Sequence, residues 1–204
     1  PTGDAGWAVG ISESTNLTEW RPVGVIEPSA PYEANGFCAP CALVRNDTVH
    51  LFYQTYGNGA KDAICHAWSS DGIHFERNAT NPVFSPQPAD WNCGRAIDAE
   101  VVLVEGKYHL YYATRTPDYK KQIIGVATAP AGTNFNTSAW SEIVQAPVLE
   151  PEYPWEETCT EGASVVEQGG VYFMFYAGAY NNRPQQIGVA RSVDGVHWEK
   201  MSNK

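Results

Sequence analysis

The sequence is short of several things, and each shortage excludes something. Basic residues are few: thirteen Lys and Arg stand against twenty-three Asp and Glu, a net charge of −10. Nucleic acid needs a basic footprint, so it is not an expected partner. No apolar run approaches a membrane span, and no signal-like segment follows Pro1, so no membrane partner is expected either. Helical periodicity is not sustained anywhere, and no helix is assigned. Cysteine is scarce and odd in number. Five Cys leave at least one thiol without an intrachain disulfide partner. Cys38-Ala39-Pro40-Cys41 has C-x-x-C spacing, but no second such pair exists and the motif opens a strand. Buried small hydrophobes are expected there, rather than zinc or redox chemistry.

The chain does have apolar mass and turns. Its 204 residues are 43% hydrophobic, enough for a sizeable core in one β domain or two small ones. Eighteen Gly and fourteen Pro fit many short strands joined by turns. Seven Trp and eleven Tyr suit a hydroxyl-rich ligand as well as a core. Asn16, Asn46, Asn78 and Asn136 head N-x-Ser/Thr triplets, which are glycosylation acceptors or ordinary turn chemistry.

An internal repeat organises the whole. Residues 42–53, 101–112 and 165–176 align without gaps, at spacings of 59 and 64 residues. Each segment reads as two β-branched, aromatic-rich strands around a tight turn. A third strand follows each, at 63–67, 123–127 and 186–190. A short fourth strand then carries one aromatic: Phe75, Trp140 or Trp198. Residues 1–27 match only the second half of this unit, with Trp20 at the aromatic position. Gly10, Cys65, Gly125 and Gly188 fall in register. Repeated four-stranded units that cannot bury their faces alone imply a β-propeller. The expected organisation is one incomplete, all-β propeller domain over 1–204. The outer half of a first blade occupies 1–30, and complete blades occupy 37–87, 96–145 and 160–204. An open arc of this kind would leave apolar faces exposed, so the missing remainder of the propeller is an expected partner.

The starts of the inner strands are where the units differ. Ala39, Asp98 and Gly162 are equivalent, and Glu161 stands one residue earlier. Inner strands of a propeller begin at one rim around the axis, so Asp98 and Glu161 should converge there. Two carboxyls in a pocket with Trp and Tyr suggest glycoside chemistry, with one kept protonated by burial and by its neighbour. Capping of the strand starts is the bland alternative. Loops returning to that rim carry Tyr56 and Asn58, then Arg115, then Tyr180 and Asn181. Arg115 could hold a sugar hydroxyl or the Glu161 carboxylate, or pair with Asp118. Trp91 and Trp155, in the loops leading to Asp98 and Glu161, could stack on a sugar ring or plug the contacts between blades. Arg95 is a weaker candidate for the substrate. His50, His66 and His109 are assigned to packing, as are the repeated aromatics.

Cys38-Ala39-Pro40-Cys41, Ile97-Asp98-Ala99 and Glu161-Gly162-Ala163, in that order, resemble glycoside hydrolase family 43, the five-bladed propeller furanosidases and xylosidases. Members carry Trp-Ala-Pro-Asp, Ile-Asp-Pro and Glu-Gly-Pro at these places; here Cys41, Ala99 and Ala163 depart from that pattern. The resemblance implies five blades, of which this chain holds about three and a half. It implies Glu161 as general acid and Asp98 as the residue that tunes its pKa and orients it. The general base would be an Asp on the first blade's inner strand, which no residue here matches, so the isolated chain is expected to be inactive. An inverting hydrolase of arabinofuranosyl or xylosyl linkages is implied, secreted or periplasmic. It would need no cofactor and no metal, beyond a structural cation such as calcium that the channel could hold. The alternatives are a related propeller hydrolase or phosphorylase for a fructoside, mannoside or galactoside, and a non-catalytic carbohydrate-binding propeller.

Overall fold

A computed structural model describes residues 6–179 and 184–201. Its regular structure is antiparallel sheet, with four short 3-10 turns among the described residues. β1 (Val9–Glu13) and β2 (Arg21–Ile26) form a two-stranded sheet. Three sheets of four strands follow, each in simple sequential order. The first holds β3 (Phe37–Arg45), β4 (Thr48–Thr55), β5 (Ile64–Ser69) and β6 (Glu76–Arg77). The second holds β7 (Ile97–Val104), β8 (Lys107–Arg115), β9 (Gln122–Pro130) and β10 (Ser141–Glu142). The third holds β11 (Thr160–Gln168), β12 (Val171–Gly178), β13 (Gln186–Ser192) and β14 (Glu199–Lys200). The inner strand β7 packs beside both β3 and β11, so the sheets fan around one axis as propeller blades.

The apolar core is three layers, one for each contact between sheets. Val9, Ile26, Phe37 and Tyr53 fill the first, Phe52, Ile64, Val101 and Leu110 the second, and Tyr111, Val126, Val165 and Met174 the third. The middle sheet is covered on both faces: β9 is buried from Gln122 to Ala129. The last sheet is covered on one, so β12 alternates, and Phe175 and Ile187 stand 41% and 69% exposed. A further blade of a closed propeller would cover that face.

Two repeated devices hold blades to the loops before them, each occurring in two of the three four-stranded sheets. Pro31–Glu33 and Pro154–Glu156 are 3-10 turns that end on a fully buried Glu. Glu33 accepts from the Tyr53 hydroxyl at 2.6 Å and pairs with Arg77 at 2.9 Å. Glu156 accepts from the Tyr176 hydroxyl at 2.6 Å and pairs with Lys200 at 2.7 Å. Their hydrogen bonds hold both carboxyls below the ordinary range despite burial, so they are structural anions. The second device is the repeated glycine. Tyr112 and Trp91 lie across Gly125, and Tyr176 and Trp155 lie across Gly188. A Cβ at Gly125 would stand 2.5 Å from the Tyr112 ring and 2.9 Å from Trp91. Gly125→Ala is therefore expected to cost about 1–3 kcal/mol by overpacking. Gly10→Ala, with nothing within 4 Å of the added atom, is the control and should change stability little. Urea unfolding of the full-length protein measures both.

All five cysteines are free thiols. Asn78 is buried, with its side-chain nitrogen donating to the Phe135 carbonyl at 3.2 Å. In the folded chain its triplet is therefore a structural feature and not an open acceptor.

Candidate active site

Each inner strand carries a one-residue bulge at the same register. Pairing slips between Cys38 and Cys41 on β3, between Ile97 and Glu100 on β7, and between Glu161 and Ser164 on β11. At each bulge one residue turns to positive φ: Ala39 at 50°, Asp98 at 52° and Gly162 at 60°. Such backbone costs on the order of 1 kcal/mol for a residue with a Cβ, and bulges re-aim side chains. The positive-φ positions are the three equivalent ones in the repeat. Together they line one cavity of about 290 Å³ at the axis, with Pro40, Glu100 and Ser164 among its other walls.

Asp98 lines that cavity, and Glu161, one residue before Gly162 and not itself among the walls, acts on it. Burial, then the Glu161 charge, pushes the Asp98 carboxyl up to about 7. Burial also raises Glu161, opposed by hydrogen bonds and by the charges of Arg95 and Arg115. Two half-buried carboxyls of this kind cannot both ionise cheaply, so the pair retains a proton towards neutral pH.

Amides from neighbouring strands set the geometry. The Gln54 side chain on β4 accepts from the Asp98 backbone N–H at 2.7 Å. Gln185 donates to Glu161 Oε1 at 2.7 Å, and Gln122 Nε2 donates to Glu161 Oε2. Arg115 Nε donates to Gln122 Oε1 at 3.3 Å, which fixes the direction of that amide. Arg115 is thus linked to the Glu161 carboxylate through Gln122. The Asp118 carboxylate takes Thr116 Oγ1 at 2.7 Å and Lys120 at 3.4 Å. Arg95 pairs with Asp62 at 3.4 Å, and Asp62 is itself held by Thr55 and the Asn58 backbone.

The aromatic candidates fare differently. Trp91 and Trp155 pack against the layers between blades, the second of the two roles open to them. Trp91 packs against the core between the first two four-stranded sheets. Trp155 stacks on Tyr176 at 5.9 Å between ring centres. Both rings are half-buried and lie against the repeated glycines, and neither lines the axial cavity. Tyr56 is exposed and meets Trp7 edge-on at 6.1 Å, outside the walls of the axial cavity. Tyr180 and Asn181 lie outside the described residues. Nothing in the sequence singled out Gln54, Gln122 or Gln185, because lone amides on strands or at their starts follow no pattern. Among the described residues no group of three or more His, Cys, Asp or Glu is placed to hold a metal ion.

Comparison with known proteins bears on this arrangement. The sequence model described as "Glycosyl hydrolases family 43" matches residues 2–203. A sucrose-6-phosphate hydrolase of Zymomonas mobilis is 25% identical over 190 residues, which is 85% of this chain and 36% of that protein. An endo-1,4-beta-xylanase structure from Bacteroides thetaiotaomicron superposes with a TM-score of 0.73 at 21% identity, covering 98% of this chain and 65% of that one. The Bombyx mori beta-fructofuranosidase BmSUC1 superposes with a TM-score of 0.72 at 17% identity, covering 98% and 44%. The chain thus spans about a third of the length of the curated relative. At these identities the structural matches speak for the fold alone.

Proposed function

The chain belongs to glycosyl hydrolase family 43, and we propose that the full-length protein hydrolyses arabinofuranosyl or xylosyl linkages with inversion at the mouth of the propeller. The observation that carries this is the pair of carboxyls on successive bulges, both raised by burial, with the Glu161 charge raising Asp98 further. Glu161 gives its proton to the glycosidic oxygen as that oxygen leaves the anomeric carbon. Water adds its hydroxyl to the same carbon from the opposite face. The water's other proton goes to a carboxylate base outside the three bulges. Asp98 acts through Glu161: the two carboxyls cannot both ionise cheaply, so the pair keeps its last proton towards neutral pH. Gln122, Gln185 and, through Gln122, Arg115 orient the Glu161 carboxyl, and so are positioning residues.

A fructoside reading draws one support, the name of the Zymomonas mobilis relative. The two readings separate in one experiment. The full-length protein is incubated with 4-nitrophenyl α-L-arabinofuranoside, 4-nitrophenyl β-D-xyloside and sucrose, and the first anomer formed is followed by NMR. Turnover of either aryl glycoside with an inverted first product is expected. Turnover of sucrose alone favours the fructoside reading. A retained first product, or no turnover at all, overturns the proposal.

A further inference from the structure

The repeat is broken in one place that the axial site does not use. Ala67, Ala127 and Ala190 pair with Arg77, Glu142 and Lys200 on the fourth strands. The adjacent equivalent pairs are therefore His66 with Asn78, Val126 with Ile143, and Val189 with Met201. Backbone bonding agrees: Asn78 N–H donates to the His66 carbonyl at 2.9 Å, and Met201 N–H to that of Val189 at 2.8 Å. Two blades are apolar here. The first four-stranded blade instead buries an imidazole and an amide, which needs a compensating network.

That network has a defined direction. Thr80 N–H donates to Asn78 Oδ1 at 2.9 Å, which fixes the amide. Asn78 Nδ2 then donates to Phe135 O at 3.2 Å and to His66 Nδ1 at 3.1 Å. A neutral His66 must therefore carry its proton on Nε2, which faces His50 Nδ1 at 3.0 Å. His50 in turn carries its proton on Nε2. Burial holds both rings neutral, with His50 lowered to about 4 and His66 to about 3. No acceptor for the last proton is found among the described residues. His50 and His66 both line a cavity of about 410 Å³, within the range of small-ligand pockets. Trp68, Arg45 and Asn136 also line it, and none of its walls is acidic. Arg45 lies over the Phe135 ring at 4.7 Å and donates to Ala131 O, which fixes its guanidinium at the wall. One pinned cation with no carboxylate is unusual in a chain of net charge −10. At the next contact between blades the Tyr111 hydroxyl closes the place beside His109, the equivalent of His50, by donating to Gly195 O at 2.6 Å, and the opening there, of about 550 Å³, is lined by Val144, Pro147, Val148 and Trp198 with no pinned cation.

We propose that this cavity is a second, non-catalytic site for an acidic saccharide. The ring hydroxyls would meet the His50 N–H and the Asn136 amide, the ring would rest against Trp68, and the carboxylate would face Arg45. Planar amides, an indole and a guanidinium suit a polyol with one negative group. The site shares no wall residue with the axial cavity. It lies about 13 Å along β4 from Gln54, at four residues of strand rise. It would hold a glycan on the protein apart from the bond being cut.

Isothermal titration tests it in full-length protein carrying Glu161→Gln, which suppresses turnover. Galacturonic acid trimer is compared with the neutral galactose trimer. The acidic trimer should bind more tightly, and Arg45→Gln or Trp68→Ala should each weaken it about tenfold or more. Asn136→Ala, at a partly exposed loop position, serves if either variant fails to fold. Equal binding of the two trimers, no binding at millimolar concentration, or binding that all folded variants retain overturns the proposal. Because heat of binding is read without turnover, failure here leaves the catalytic reading untouched, and the reverse also holds.

Discussion

Glu161→Gln is expected to lower kcat of the full-length enzyme on an alkyl or oligosaccharide substrate by about 10²–10⁴-fold, the contribution of a placed general acid. The substitution keeps the shape of the side chain and its acceptor for Gln185 or Gln122, so the fold should survive. The leaving group decides the interpretation. A dinitrophenyl glycoside departs without protonation, so its hydrolysis should fall far less than that of an alkyl glycoside. Equal losses on both substrates would mean that Glu161 positions or binds rather than donates. Undiminished activity on the alkyl glycoside would remove it from the chemistry. Thermal unfolding of the same sample separates either result from misfolding.

The sequence carried the frame of this site but not its finish. Three hairpins in register were enough to place Asp98 and Glu161 on successive inner strands, because the strand period ties each position to one rim. The same alignment located Ala39, Asp98 and Gly162 as equivalent. It could not reveal that all three sit at positive φ, since Ala and Asp seldom adopt that region and only Gly162 hints at it. Trp91 and Trp155 could be read either way for a related reason. A tryptophan near an acidic strand start suits a sugar, yet the repeated Gly125 and Gly188 on another strand were the cavities those rings fill. The buried Glu33 and Glu156 were overlooked because Pro-Tyr-Glu and Pro-Trp-Glu look like polar loop sequence. Their partners Arg77 and Lys200 lie 44 residues away in both cases. The His66 and Asn78 exchange was visible as a departure from the repeat, but its meaning needed the cavity beside it.

Asp98→Asn should separate function from stability at the same position. Asn tolerates positive φ as well as any residue but Gly, so the backbone term nearly cancels and the change isolates the charge. In the folded chain the Asp98 carboxyl is raised to about 7, against an ordinary value of 3.8. Between those values the folded state holds a proton that the unfolded state releases. Stability from this group is therefore full below about pH 4 and is lost as pH rises through 7. At about 1.4 kcal/mol per unit, the three-unit difference sets a ceiling near 4 kcal/mol on the penalty at pH 8. Asp98→Asn removes that penalty, so urea unfolding should find the variant more stable than the native protein at pH 8 and nearly equal at pH 4. Activity should move the other way. Without Asp98 the coupled pair no longer holds its last proton towards neutral pH, so kcat/KM should fall and its alkaline limb should shift towards acid. A purely structural Asp98 would give the stability change with an unmoved pH profile, and that outcome would end its assignment as the residue that tunes the acid.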